Sequence, residues 1–115
     1  MEQNKKLIKN VNWGEVYNIL DMVDYNPGQV VSRTLAQGKN MSMTLFAFDK
    51  GEEISAHSSP GDALVSILDG AARITIGDKE VDVKAGQVVV MPAGVPHALY
   101  AKERFKMLLV VVFQP

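Results

Sequence analysis

Short apolar runs rich in β-branched residues recur along this chain, each closed by glycine, proline, asparagine or aspartate. Their spacing of roughly 8–12 residues restricts the fold more than any other feature. The runs include Gln29–Ala36, Met41–Phe48, Ala63–Leu68, Ala72–Ile76, Glu80–Val83, Val88–Met91 and Phe105–Phe113. Asn26-Pro27-Gly28, Asp49-Lys50-Gly51 and Lys84-Ala85-Gly86 supply turn chemistry between them. Asp69-Gly70 and Gly77-Asp78 read as two-residue hairpin turns. About eight or nine short strands result, the pattern of an all-β sandwich or barrel. Only Trp13–Val23 departs from it. There Val16, Ile19, Leu20 and Val23 fall at helical spacing, which predicts a short N-terminal helix, with an irregular edge segment as the alternative.

At 115 residues the chain is expected to form one domain, residues 1–115, with the first ten or so mobile. The formal net charge of -1, spread along the chain, lacks the basic stripe that a nucleic-acid surface needs. No cysteine is present, which excludes disulfides and thiolate chemistry and suits a reducing cytoplasm. The opening MEQNKKLIKN has no apolar core of signal-peptide length, and the apolar run Met107–Phe113 is far too short to span a bilayer. A cytoplasmic protein without membrane or nucleic-acid partners is the expectation. Phe105–Phe113 is apolar on both faces, so it must be covered on both sides. A subunit interface is the expected outer cover, and the chain is expected to be a homodimer.

The only two histidines, His57 and His97, each sit in a glycine-led β-type stretch: Gly51–Gly70 and Gly86–Ala101. Strand alternation puts Ile54 and Ala56 on one face and Ser55, His57 and Ser59 on the other. In the second stretch it groups His97, Leu99 and Ala101. Pro92 and Gly94 demand a turn before His97, and Pro96 fixes the backbone one residue ahead of it.

The two stretches resemble the paired motifs of the cupin superfamily, and together they span about a third of the chain. Gly51, His57 and Gly70 match the first motif, G-x5-H-x-H-x3-E-x6-G, but Ser59 stands at its second histidine and Ala63 at its glutamate. Gly86, Pro92, Gly94 and His97 match the second, G-x5-P-x-G-x2-H-x3-N, with Ala101 at the asparagine. The resemblance implies a β jelly roll whose cavity holds His57 and His97, with Ser59 and Ala63 around the same point. In the family three histidines and a glutamate hold a divalent metal. Here two of the four remain, so a zinc, nickel, iron or manganese ion is expected to bind weakly if at all. Asp62, one residue before the glutamate position, is a candidate third ligand, but Pro60-Gly61-Asp62 reads as turn chemistry.

Three functions follow from that resemblance. The leading one is a small-molecule-binding protein with a depleted metal site. The second is an enzyme of isomerase, decarboxylase or dioxygenase type, with His57 and His97 as catalytic candidates acting through a weakly held metal or as an acid–base pair. The third is a structural dimerisation domain. Lys106, on the face of the last strand shared with Leu108, Val110 and Val112, is either an anchor for an anionic ligand or an ammonium reaching water. Met91 could border the pocket mouth. Trp13 and Tyr17 could cap an opening or simply pack.

Overall fold

A computed structural model describes residues 6–114. Eight strands form: β1 (Val30–Gln37), β2 (Met41–Phe48), β3 (Glu53–His57), β4 (Gly61–Ile76), β5 (Lys79–Lys84), β6 (Val88–Met91), β7 (His97–Tyr100) and β8 (Phe105–Phe113). Every pairing is antiparallel. The continuous order is β1-β2-β8-β4-β7-β3, with β5 and β6 also pairing to β4. The all-β jelly-roll expectation therefore holds.

β4 joins the two layers. Its first half pairs with β8 and β6, and its second half with β5 and β7. The ladder to β8 slips between Ile67 and Asp69, and Gly70 takes a φ of 72°. Asp69-Gly70 is thus no hairpin turn. It is a bulged bend inside one long strand, and the chain crosses there from one sheet to the other. Only glycine fits: a Cβ on Gly70 would lie 2.0 Å from the Arg104 carbonyl oxygen. Gly77-Asp78, by contrast, does close the expected hairpin between β4 and β5.

The inner faces of the two layers enclose Phe48, Ala63, Val65, Ile67, Ile74, Met91, Leu99, Phe105 and Met107. Phe48 and Phe105, both fully buried, stack with ring centroids 4.4 Å apart. A second apolar cluster lies outside the barrel. The segment from Val11 to Tyr25 lays Val11, Met22, Val23 and Tyr25 over Val31, Leu35, Leu45, Ala47 and Leu108. That segment holds one 3-10 turn, Ile19–Asp21, in place of the predicted helix. Its apolar residues dock on a sheet, and the contact needs no helical face. Lys9 N–H donates to the Leu35 carbonyl at 2.7 Å and Asn10 Nδ2 to Thr34 O at 2.6 Å, tying the start of the segment to β1. The expectation of a mobile start falls partly on residues 1–5, which lie outside the described residues.

This segment also corrects the expectation for β8. The chain itself covers the first part of its outer face. Lys106 points outward and is buried; its ammonium donates to the Leu20 carbonyl and lies 4.9 Å from the centre of the Tyr25 ring. It neither faces the barrel interior nor reaches water. Arg104 stands on the same ring at 4.4 Å, and Tyr25 Oη donates to Asp69 at 2.5 Å.

Gly70→Ala is expected to cost about 2–4 kcal/mol, because it adds a backbone collision to an unfavourable φ. Gly86→Ala, at φ 89° but in open space, is expected to cost about 1 kcal/mol. Urea unfolding of the two variants measures the difference. Equal losses would show that the sheet crossing does not need glycine.

Candidate functional site

The two histidine-bearing stretches pair directly. Gly51 N–H donates to Ala101 O at 2.7 Å and Ala101 N–H to Glu52 O at 3.0 Å. β3 and β7 then run antiparallel, with Glu53 opposite Tyr100, Ile54 opposite Leu99 and His57 opposite His97. Three residues of β3 span what two span on β7, so a bulge lies between Ile54 and His57. The bulge overturns simple alternation. His57 shares its face with Ile54, Leu99 and His97, while Ser55 and Ala56 both border a concavity on the outer surface.

The two imidazoles meet edge to face, with ring centroids 4.5 Å apart. His97 is 4% exposed, whereas His57 is exposed at the barrel mouth. Each ring is held the same way: His57 Nδ1 lies 2.9 Å from Ser55 O, and His97 Nδ1 lies 3.3 Å from Val95 O. A carbonyl oxygen can only accept, so Nδ1 carries the proton in both bonds. In the neutral rings the Nε2 lone pairs are left for a ligand. Burial pushes the His97 imidazole below its ordinary pKa, and the neighbouring His57 pushes in the same direction. The bond to Val95 O opposes them.

The remaining expected residues divide. Ala63 is buried on the inner face of β4, opposite buried Met91 and contributing no donor atom. Ser59 is partly buried in the β3–β4 loop. Its hydroxyl accepts from Gly61 N–H at 3.2 Å, and its carbonyl accepts from Gly94 N–H at 2.8 Å, joining the two motif loops. Asp62 is exposed on the opposite face of β4 from Ala63 and accepts from Ala93 N–H at 2.8 Å. It is a loop latch, turned away from the imidazoles, and this corrects its candidacy as a third ligand. Met91, 2% exposed, is core. Trp13 and Tyr17 belong to the outer segment, where Trp13 is largely exposed and Tyr17 Oη accepts from Asn12 N–H.

The donors present do not fit a tightly held divalent ion. Among the described residues no third histidine, cysteine or carboxylate joins the pair, and structural or catalytic zinc sites use at least three protein ligands. The two largest concavities among the described residues lie elsewhere than at the expected histidine cavity. Concavities of about 390 Å³ beside Arg73, Asp82 and Lys84 and about 420 Å³ beside Thr75, Ala98 and Tyr100 touch neither histidine.

A cupin-domain family profile matches residues 44–113, which hold both motifs. The chain is a cupin. It is similar to a conserved protein of unknown function from Streptococcus pyogenes, at 48% identity and a TM-score of 0.95 over 98% of this chain and 99% of that one. A cupin superfamily protein from Desulfitobacterium hafniense matches at 34% identity and a TM-score of 0.88, covering 93% of this cupin and 98% of its own chain. An uncharacterised protein of Streptomyces coelicolor is 37% identical over 78 residues, 67% of this chain and 72% of its own. Among the described residues no helix is long and apolar enough to cross a membrane.

His97 generates a pH prediction. An unfolded histidine takes up its proton near pH 6.5, and the folded His97 resists that proton. The contribution of His97 to stability is therefore complete above about pH 6.5 and is lost as pH falls through the lowered folded value. Imidazole NMR should place the His97 midpoint below that of a free histidine, and His57→Ala should raise it. A midpoint at or above the free value would contradict the burial of this ring.

Proposed function

We propose that this cupin binds a small molecule at the mouth of its barrel, with the His57–His97 pair as the polar contact. The observation that carries this reading is the shared restraint of the two rings. Both protonated nitrogens are taken by backbone carbonyls, so two hydrogen-bond acceptors remain side by side above an apolar interior. A few convergent polar groups on apolar walls is the composition of a ligand site. A divalent ion has only these two imidazoles to hold it and is proposed as a weak visitor at most.

A second reading, acid–base catalysis by the pair, has one observation in its favour. The buried ring is held neutral while its neighbour faces solvent, and unequal environments are how paired groups take different roles. Binding and catalysis separate in one experiment. NMR of the folded protein against a library of small hydroxylated fragments should move the His57 and His97 resonances first, and His57→Ala should remove the response. Fragments that bind only at the outer concavities would overturn the site. Turnover of a bound fragment that is lost in His97→Gln, with binding kept, would favour the enzyme.

We also propose a homodimer in a reducing compartment. The segment Val11–Tyr25 stops short of one outer patch. Val110, Leu64 and Val90 form a cross-strand row there. Leu64 is 39% exposed, Val90 49%, Val112 58% and Val88 60%. A second copy would bury this row. Light scattering should give a two-chain mass that falls to one chain in Leu64→Asp/Val90→Asp; a single-chain mass for the parent would refute it.

A further inference from the structure

We infer that Lys79 is part of the same site and that the ligand is a small carboxylate with an apolar body and a hydroxyl group. This rests on the histidine site proposed above and names the class of molecule it takes. The β4–β5 hairpin pairs Lys79 with Ile76. Ile76 in turn pairs with His97 across β7, and His97 with His57 across β3. Residues directly opposite each other in an antiparallel ladder share a face. Lys79, Ile76, His97 and His57 therefore form one cross-strand row, on the face that continues inward as Val81, Ile74 and Leu99. The hairpin tip is fixed against the second motif loop, since Gly77 N–H donates to Pro96 O at 2.8 Å.

Charge completes the argument. On the described strands no other inward position carries a charged side chain, so Lys79 is the one cation on that face. Arg33 bonds outward to Met22 O and Asn10 O. Arg73 is occupied by Asp82 at 3.2 Å and lies 3.8 Å from Glu80, on the outer face. Lys106 is buried beneath Tyr25. Lys79 is exposed, and among the described residues no carboxylate lies within ion-pair distance of it; its sequence neighbours are Asp78, in the turn, and Glu80, which faces Arg73 on the other side of β5.

The row also sets the order of groups on the ligand. Lys79 and His97 are separated by two strand spacings, roughly 10 Å between backbones. A flexible four-carbon stem spans much of that gap, leaving room for a carboxylate above Ile76. The neutral imidazoles present lone pairs, which repel a carboxylate and accept a hydroxyl hydrogen. The anionic end thus lies toward Lys79, the apolar body over Ile76, and the hydroxyl at the histidines.

Three probes separate these contributions: 4-hydroxybenzoate, 4-hydroxybenzamide without the charge, and 4-methoxybenzoate without the donor. Titrations at millimolar concentration, followed on the His57 and His97 ring resonances, give the affinities. 4-Hydroxybenzoate should bind about tenfold more tightly than the amide, the effect of one charge-assisted hydrogen bond, and about fivefold more tightly than the methoxy compound, the effect of one neutral hydrogen bond. Lys79→Gln, at an exposed position that leaves folding intact, should remove the advantage over the amide only. His57→Ala should remove the advantage over the methoxy compound only. If all three probes shift the imidazoles equally in parent and Lys79→Gln, the assignment of Lys79 is overturned while the histidine site stands. If none of them shifts the imidazoles, the ligand class is overturned, and the fragment library decides the site separately.

Discussion

The passage of β4 between two sheets is the constraint on which the rest of the molecule depends. A strand of this length would ordinarily belong to one sheet. Here its second half turns away from β8 at the slip between Ile67 and Asp69. The turn brings the strand so close to Arg104 that any side chain at residue 70 would strike backbone. One consequence is the enclosed core, with Phe48 stacked on Phe105. Another is that the far end of the same strand carries Ile76 to the start of β7. The histidines are placed by that edge. Without the crossing, β7 and β3 would have no second layer on which to pair.

Most of the strand pattern was legible in the residues because it is local. Met41–Phe48 and Phe105–Phe113 alternate or stay apolar from end to end, and both bounds agree with the fold. Gly77-Asp78 behaved as its turn chemistry implied. Asp69-Gly70 has the same local chemistry and did not. What distinguishes the two is the backbone of Arg104 and Phe105, more than thirty residues away in sequence, and no local rule contains it. The bulge at Ser55–Ala56 was hidden for a related reason. Alternation assumes one residue per step, and only the register against β7 reveals the extra one. The rings of His57 and His97 lie side by side, and the bulge puts Ile54 on the face of His57, where plain alternation puts it on the other.

The outer face of β8 shows how a sound requirement can be met by an unexpected agent. An all-apolar strand does need two covers. The chain provides one itself, by folding residues 11–25 back across β2 and β8. Helical spacing in Trp13–Val23 was real, yet only three residues close a 3-10 turn. A segment that docks on a sheet gains more from burying Val23 and Met22 than from completing its own hydrogen bonds, which exposed backbone can make with water. Lys106 follows from the same arrangement. Its ammonium is satisfied by the Leu20 carbonyl and the face of the Tyr25 ring, so a cation is tolerated beneath the segment.

Losing half of a metal-ligand set changes the electrostatics of a site as well as its donor count. A bound divalent ion is the largest local charge in any site that holds one, and it would dominate the pull on an anionic ligand at this mouth. With Ala63 and Ser59 at two of the four positions, that field is absent from the side chains themselves. Two imidazoles do not replace it; they offer lone pairs, and the burial of His97 works against that ring becoming a cation. The attraction for an anion must then come from a side chain that was never part of the metal set. Cross-strand geometry leaves one position for it, the residue facing Ile76 at the hairpin tip. Under that proposal a single exposed cation at the rim and two acceptors beside it would divide the work a metal ion would have done alone. On the reading proposed above, such a site would recognise the two ends of a molecule separately, and its selectivity would depend on the distance between them.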